Sequence, residues 1–137
     1  MDTITLKENN LKHYDYYLTF DIDPTAKGRP RFGKGFVYTP TKTKVYEKSV
    51  ADMAKIQFNK KPLVGPLKIE VVFYLKKPKS VKRKYPVVKP DLDNLEKGLY
   101  DALEGIVYVG DQQIVTHTTS KWYANEGRIE VFIKELV

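Results

Sequence analysis

Apolar and polar positions alternate over residues 16 to 22, with Tyr16, Leu18, Phe20 and Ile22 on one side and Tyr17, Thr19 and Asp21 on the other. That period of two predicts a half-buried strand. A Gly-rich basic segment, PTAKGRPRFGKG, follows, and the short run FVYT after it can pair as a second strand. The spacing then becomes helical. Tyr46, Val50, Met53 and Gln57 recur every three or four residues, and Thr39, Thr41 and Thr43 each offer a cap, which predicts a helix over about residues 43–58. KPLVGP turns the chain into LKIEVVFYL, the clearest strand, with Leu67, Ile69, Val71, Phe73 and Leu75 on one face. The stretch KKPKSVKRKYPVVKP has no period and reads as a long loop, of a length that is usually functional or disordered. Leu92, Leu95, Leu99 and Leu103, with Ala102, form the stripe of a second helix that starts near Asp93, and Gly105 is placed to end it. Two β-rich segments, QIVTHTTSKWY and RIEVFIKEL, close the chain around the turn ANEG. The order β-β-α-β-α-β-β predicts an α+β fold, one mixed sheet with two helices packed on it.

A length of 137 residues suits a single domain, residues 1–137, and 42% hydrophobic residues suffice for its core. The absence of cysteine rules out disulfides and thiolate metal sites, and His13 and His117 stand at no zinc spacing. Any metal is therefore held mainly by oxygen. The first residues, MDTITLKENN, do not read as a leader, and no apolar run approaches the roughly 18 residues of a membrane span. The expectation is an intracellular, soluble protein without a membrane partner.

The net charge is +7, and 14 of the 24 cations lie in two blocks, residues 27–48 and 76–89. Clustered cations either form a solvated face or attract a polyanion, nucleic acid being the commonest. In the first block GRPRFGKG nearly spells a nucleotide-binding P-loop. Gly35 replaces the hydroxyl that would meet magnesium, Pro30 removes a phosphate-facing N–H, and no helix follows, so no nucleotide cofactor is expected. Arg29, Arg31 and Lys34 remain as candidate contacts to a phosphodiester backbone, or as the cations of a basic hairpin turn. Lys82, Arg83 and Lys84 are the matching candidates in the second block.

Against this background KPDLDNLEKGLYDAL is acidic at its start. DLDNLEK is not a calcium hand, because Leu95 and Glu96 occupy positions that need a ligand and a glycine. Asp93, with Glu96 three residues on, suits a helix cap in a capping-box pattern. Asp91 lies two residues upstream in a segment that Pro90 holds extended, so both carboxylates can aim at one point off the helix start. Lys97 is one turn beyond Asp93, and Asp101 one turn beyond Lys97; an exposed ion-pair ladder of this kind contributes only ~0.3–0.5 kcal/mol per pair. Asp111, in VGDQQI, is either a turn residue or a third arm of the acidic group. Three carboxylates form a hard oxygen site for magnesium, with manganese as a substitute, and such an ion can polarise a phosphodiester. Basic flanks that hold the backbone around an acidic metal pocket are the plan of a nuclease. The alternative is a DNA-binding module without catalysis, its acids only capping a helix.

The run Asp91-Leu92-Asp93-Asn94-Leu95-x-Lys97, then Asp101-Ala102-Leu103 and Asp111-x-Gln113-Ile114, resembles the RusA-type Holliday junction resolvases, and the similarity extends over most of the chain. The resemblance implies a magnesium-dependent endodeoxyribonuclease acting as a homodimer that nicks a four-way DNA junction symmetrically in recombination and repair. It maps the family's metal-binding Asp residues onto Asp91, Asp93 and Asp111, and its catalytic lysine onto Lys97. One departure is Gly110, where many members carry a further Asp. The two-fold symmetry of a junction also asks for two chains, one site on each. Nucleases of the same chemistry acting on flaps or RNA remain the alternative substrate classes.

Overall fold

The computed structural model describes residues 2–28, 31–33, 35, 37–38 and 41–137. Its elements are helix α1 (Thr3–His13), strands β1 (Tyr16–Phe20), β2 (Arg31–Phe32) and β3 (Val37–Tyr38), helix α2 (Thr41–Gln57), strand β4 (Leu67–Lys76), helix α3 (Leu92–Leu103), a 3-10 turn (Asp111–Gln113), and strands β5 (Ile114–Ala124) and β6 (Arg128–Glu135). This is the expected α+β class, with one helix more than the periodicity predicts. β2 and β3 form a separate two-stranded ribbon, and the other strands form a sheet in the order β1-β6-β4-β5. β6 runs antiparallel to both β1 and β4, whereas β5 is parallel to β4. A parallel neighbour requires a crossover, and α3 is that crossover.

The sheet is covered on both faces. On one, Leu67, Ile69, Val71 and Phe73 of β4 pack with Tyr46, Val50 and Ala54 of α2 and with Leu95, Leu99, Ala102 and Leu103 of α3. On the other, Val72 and Tyr74 of β4 and Phe132 of β6 pack beneath Leu6, Tyr14 and Tyr17. Alternation in LKIEVVFYL predicts one buried face. The strand is buried on both because it is central, between β6 and β5, and α1 closes the second face.

α1 begins at Asp2, whose side chain accepts the Thr5 N–H at 2.8 Å. Beneath the helix lie two buried glutamates that tyrosines satisfy. Glu130 accepts the Tyr17 hydroxyl at 2.5 Å and the Tyr74 hydroxyl at 2.8 Å, with Lys7 at 3.6 Å, and Glu70 accepts the Tyr14 hydroxyl at 3.3 Å. A buried carboxylate without such partners would cost several kcal/mol.

α3 carries the predicted leucine stripe and ends where glycine permits it: Gly105 has φ +79° and donates its N–H to Tyr108 O at 2.7 Å. Gly98 lies inside the helix for a packing reason. A Cβ there would stand 3.2 Å from Thr25 O, because residues 25–27 lie across the helix and the Lys27 N–H bonds Asn94 O at 3.0 Å.

Candidate active site

Spacings of four, four and three residues place Asp93, Lys97, Asp101 and Glu104 along one side of α3, away from its leucine stripe. The helix cap is Asp91, not Asp93: its backbone is extended, its carbonyl accepts the Leu95 N–H at 3.1 Å, and its side chain makes no capping bond. The Asp91 carboxylate instead pairs with Lys89 at 2.8 Å, and this hydrogen bond holds it below the usual carboxylate range. Asp93 lies inside the first turn, where the helix dipole favours an anion; among the described residues its exposed carboxylate has no ion-pair or hydrogen-bond partner. Because Asp93 is already helical, the same-side geometry of an extended i,i+2 pair does not apply to it and Asp91.

After Gly105 the chain folds back and delivers Asp111 to the far end of this side. The Asp111 N–H donates to Glu104 Oε1 at 3.0 Å. Gln113 fixes the turn: its Oε1 accepts the Gly110 N–H at 2.9 Å, and its Nε2 donates to Leu63 O at 2.8 Å and Gly65 O at 3.0 Å. Carboxylate oxygens of Asp101, Glu104 and Asp111 thereby lie within 4.8 Å of one another, close enough to share one cation. Of the expected acidic residues, only Asp111 belongs to this cluster. Asp93 starts the same helix side about 12 Å before Asp101, at 1.5 Å per residue.

Lys97 stands over the cluster, with Nζ 3.2 Å from Asp101 Oδ1 and 3.9 Å from Asp111 Oδ2. Its hydrogen bond to Asp101 raises its pKa, so the ammonium stays charged. Asp101 has a second cation on its other oxygen, Lys27 at 3.2 Å, which also meets Glu47 of α2 at 2.5 Å. Burial pulls the Lys27 pKa down, but the two carboxylates outweigh it and the net displacement is upward. An alternating chain Glu47–Lys27–Asp101–Lys97–Asp111 therefore ties α2, α3 and the turn together. The i,i+4 spacing gave Lys97 and Asp101, and the i,i+3 spacing from Asp101 is the signal that could have given Glu104; Lys27 and Glu47 carry no signal at that range.

Lys82, Arg83 and Lys84 are exposed, in a loop docked on β5. Tyr85 packs on Trp122 with ring centres 5.0 Å apart, the Tyr123 N–H donates to Lys84 O at 3.2 Å, and Lys121 Nζ donates to Val88 O at 2.8 Å and Pro90 O at 3.0 Å. The second basic block is thus anchored beside the start of α3. In the first block, Arg31 lies in the β2–β3 ribbon, while Arg29 and Lys34 lie outside the described residues. Gly28 roots that ribbon on α2 by donating its N–H to Thr43 Oγ1 at 3.0 Å. Among the described residues, no helix is long and apolar enough to cross a membrane.

The family model described as "Endodeoxyribonuclease RusA" matches residues 21–134, most of the chain. The chain is also 37% identical to the uncharacterized protein YqaN of Bacillus subtilis (strain 168), a match covering 83% of this chain and 92% of that relative.

Proposed function

Since the chain belongs to the RusA endodeoxyribonuclease family, whose members resolve Holliday junctions, we propose that it is a magnesium-dependent resolvase that cuts four-way DNA by paired symmetric nicks. In this reading it acts as a homodimer on branched DNA, in recombination and repair, in the cytoplasm of a bacterial or phage-infected cell. The observation that carries it is the charged Lys97 above the acidic cluster, beside a basic loop anchored on β5.

The donor set is carboxylate oxygen, which fits a hard cation such as magnesium, or manganese in its place. The resemblance assigns the ion to Asp91, Asp93 and Asp111. Asp111 is common to that set and to the Asp101–Glu104–Asp111 cluster, which makes it the central ligand of the proposal. When bound, the ion polarises the phosphodiester and activates water. Lys97, fixed by Asp101, neutralises charge that develops on the phosphoryl oxygens as the attacking oxygen adds. Lys82, Arg83 and Lys84, with Arg29, Arg31 and Lys34, hold phosphates and set where the backbone enters the site without reading sequence.

A labelled synthetic four-way junction, incubated with wild type and with Asp93→Asn, each with magnesium and with chelator, tests the proposal. Wild type should produce paired nicks only with the metal, and Asp93→Asn should bind without cutting. A wild type that binds the junction yet never nicks it under any divalent metal would overturn the reading.

A further inference from the structure

A second polar group joins α3 to β5 next to the acidic cluster. His117 of β5 holds Nδ1 2.9 Å from Glu96 Oε2 and 3.2 Å from the Tyr100 hydroxyl. The Glu96 side chain is 15% exposed and that of His117 is 50% exposed, so the carboxylate is largely covered while the ring reaches solvent. Among the described residues, Nε2 has no hydrogen-bond partner. His117 also lines an open hollow of about 320 Å³ with Tyr100, Thr116 and Asp111. The hollow and the acidic cluster therefore share Asp111.

A carboxylate on Nδ1 selects the tautomer with its proton there and leaves the Nε2 lone pair free. A clamp between helix and sheet would need neither an exposed ring nor a free nitrogen on a ring that lines the same hollow as Asp111. We propose that His117 is a further catalytic residue of the nuclease, the proton acceptor for the attacking water, and that Glu96 is its positioning residue; this rests on the endonuclease reading above. An O–H bond of water breaks and its proton passes to Nε2 as the oxygen bonds phosphorus. The bond from phosphorus to the leaving oxygen then breaks, that oxygen takes a proton from solvent, and His117 releases its own to solvent.

The groups facing His117 are Glu96 and Tyr100 from α3, Asp111 from the turn and Thr119 on its own strand, while its β4 neighbour is the apolar Ile69. The nearest ammonium on α3, Lys97, approaches Asp111.

The test is single-turnover junction cleavage with magnesium across pH by wild type, His117→Gln, Glu96→Gln and His13→Gln, with junction affinity measured in chelator. His117→Gln should lose about 100-fold in rate, bind the junction as wild type does and regain rate with added imidazole. Glu96→Gln should lose less rate and weaken the preference of the neutral His117 ring for a proton on Nδ1, and His13→Gln should match wild type. Nitrogen NMR of the wild type in chelator should show the neutral His117 ring protonated at Nδ1. Cleavage by His117→Gln within about threefold of wild type, or losses that follow thermal stability without rescue by imidazole, would overturn the proposal. Wild type that never cuts sinks the nuclease reading itself, whereas an active wild type beside an active His117→Gln sinks only the role of His117.

Discussion

Lys97 Nζ lies 3.9 Å from Asp111 Oδ2, joining a helix to a turn that returns to it only after Gly105 reverses the chain. Asp101 holds the same ammonium at 3.2 Å, so the charge is positioned before any substrate arrives. Lys97→Met should therefore lower the cleavage rate about 100- to 1,000-fold, the range for removing one group that stabilises transition-state charge. Junction affinity should change little, because Lys97 is one cation among many. Lys97→Arg should recover part of the rate, limited by a guanidinium too broad for the gap between two carboxylates. Gel-shift and single-turnover assays on the same preparations separate the two effects.

Glu104→Gln tests the metal role proposed for the cluster. The amide oxygen can still accept the Asp111 N–H, so the turn is kept while one anionic ligand is lost. Manganese affinity, measured by calorimetry on the free protein, should fall about tenfold, and Asp111→Asn should lower it further, since fewer charged ligands weaken a hard-cation site. If Glu104→Gln binds manganese like wild type while Asp93→Asn does not, the ion sits at the helix start instead.

Periodicity located β1, α2 and α3 because each buries one regular face, and β4 because its alternating apolar side lies in the main core, and Gly105 marked the end of α3 because that position requires positive φ. It did not reveal α1. Ile4 and Leu11 of that helix are exposed, and the contacts beneath it are tyrosines whose hydroxyls reach Glu130 and Glu70 inside the sheet face. The resemblance singled out Asp111 by its spacing to Gln113, and the i,i+4 spacing set Lys97 on the side of Asp93. Glu104 gains its role only when the chain reversal brings Asp111 to it, and Lys27 only through a loop laid across α3 from far upstream.

The loop bearing Lys82, Arg83 and Lys84 should govern the salt dependence of binding. If all three meet phosphates, their replacement by Ala lowers the slope of log affinity against log salt by about 2.7, at ~0.9 per duplex phosphate contact. Trp122→Ala should weaken binding too, while keeping the cations, because Tyr85 loses the ring on which the loop rests. An unchanged slope for the triple variant would place the DNA on another face.

Lys27 links the fold to the site, and pH reports that link. Its pKa is raised above 10.5 in the folded state through Glu47 and Asp101, so the stability it contributes is complete below 10.5 and is lost as pH rises through the folded value. Lys27→Met leaves Glu47 without its cation and Asp101 with Lys97 alone, and should cost about 1.5–3 kcal/mol near neutral pH, the range for hydrogen bonds to charged groups. Denaturant titrations of both proteins should show this gap constant through neutral pH and narrowing above pH 10.5, where wild-type Lys27 also loses its charge. Cleavage should fall in the same variant, because Asp101, released on one side, draws Lys97 toward itself and away from Asp111. A gap that widens above pH 10.5 would show that Lys27 is held by something other than these two carboxylates.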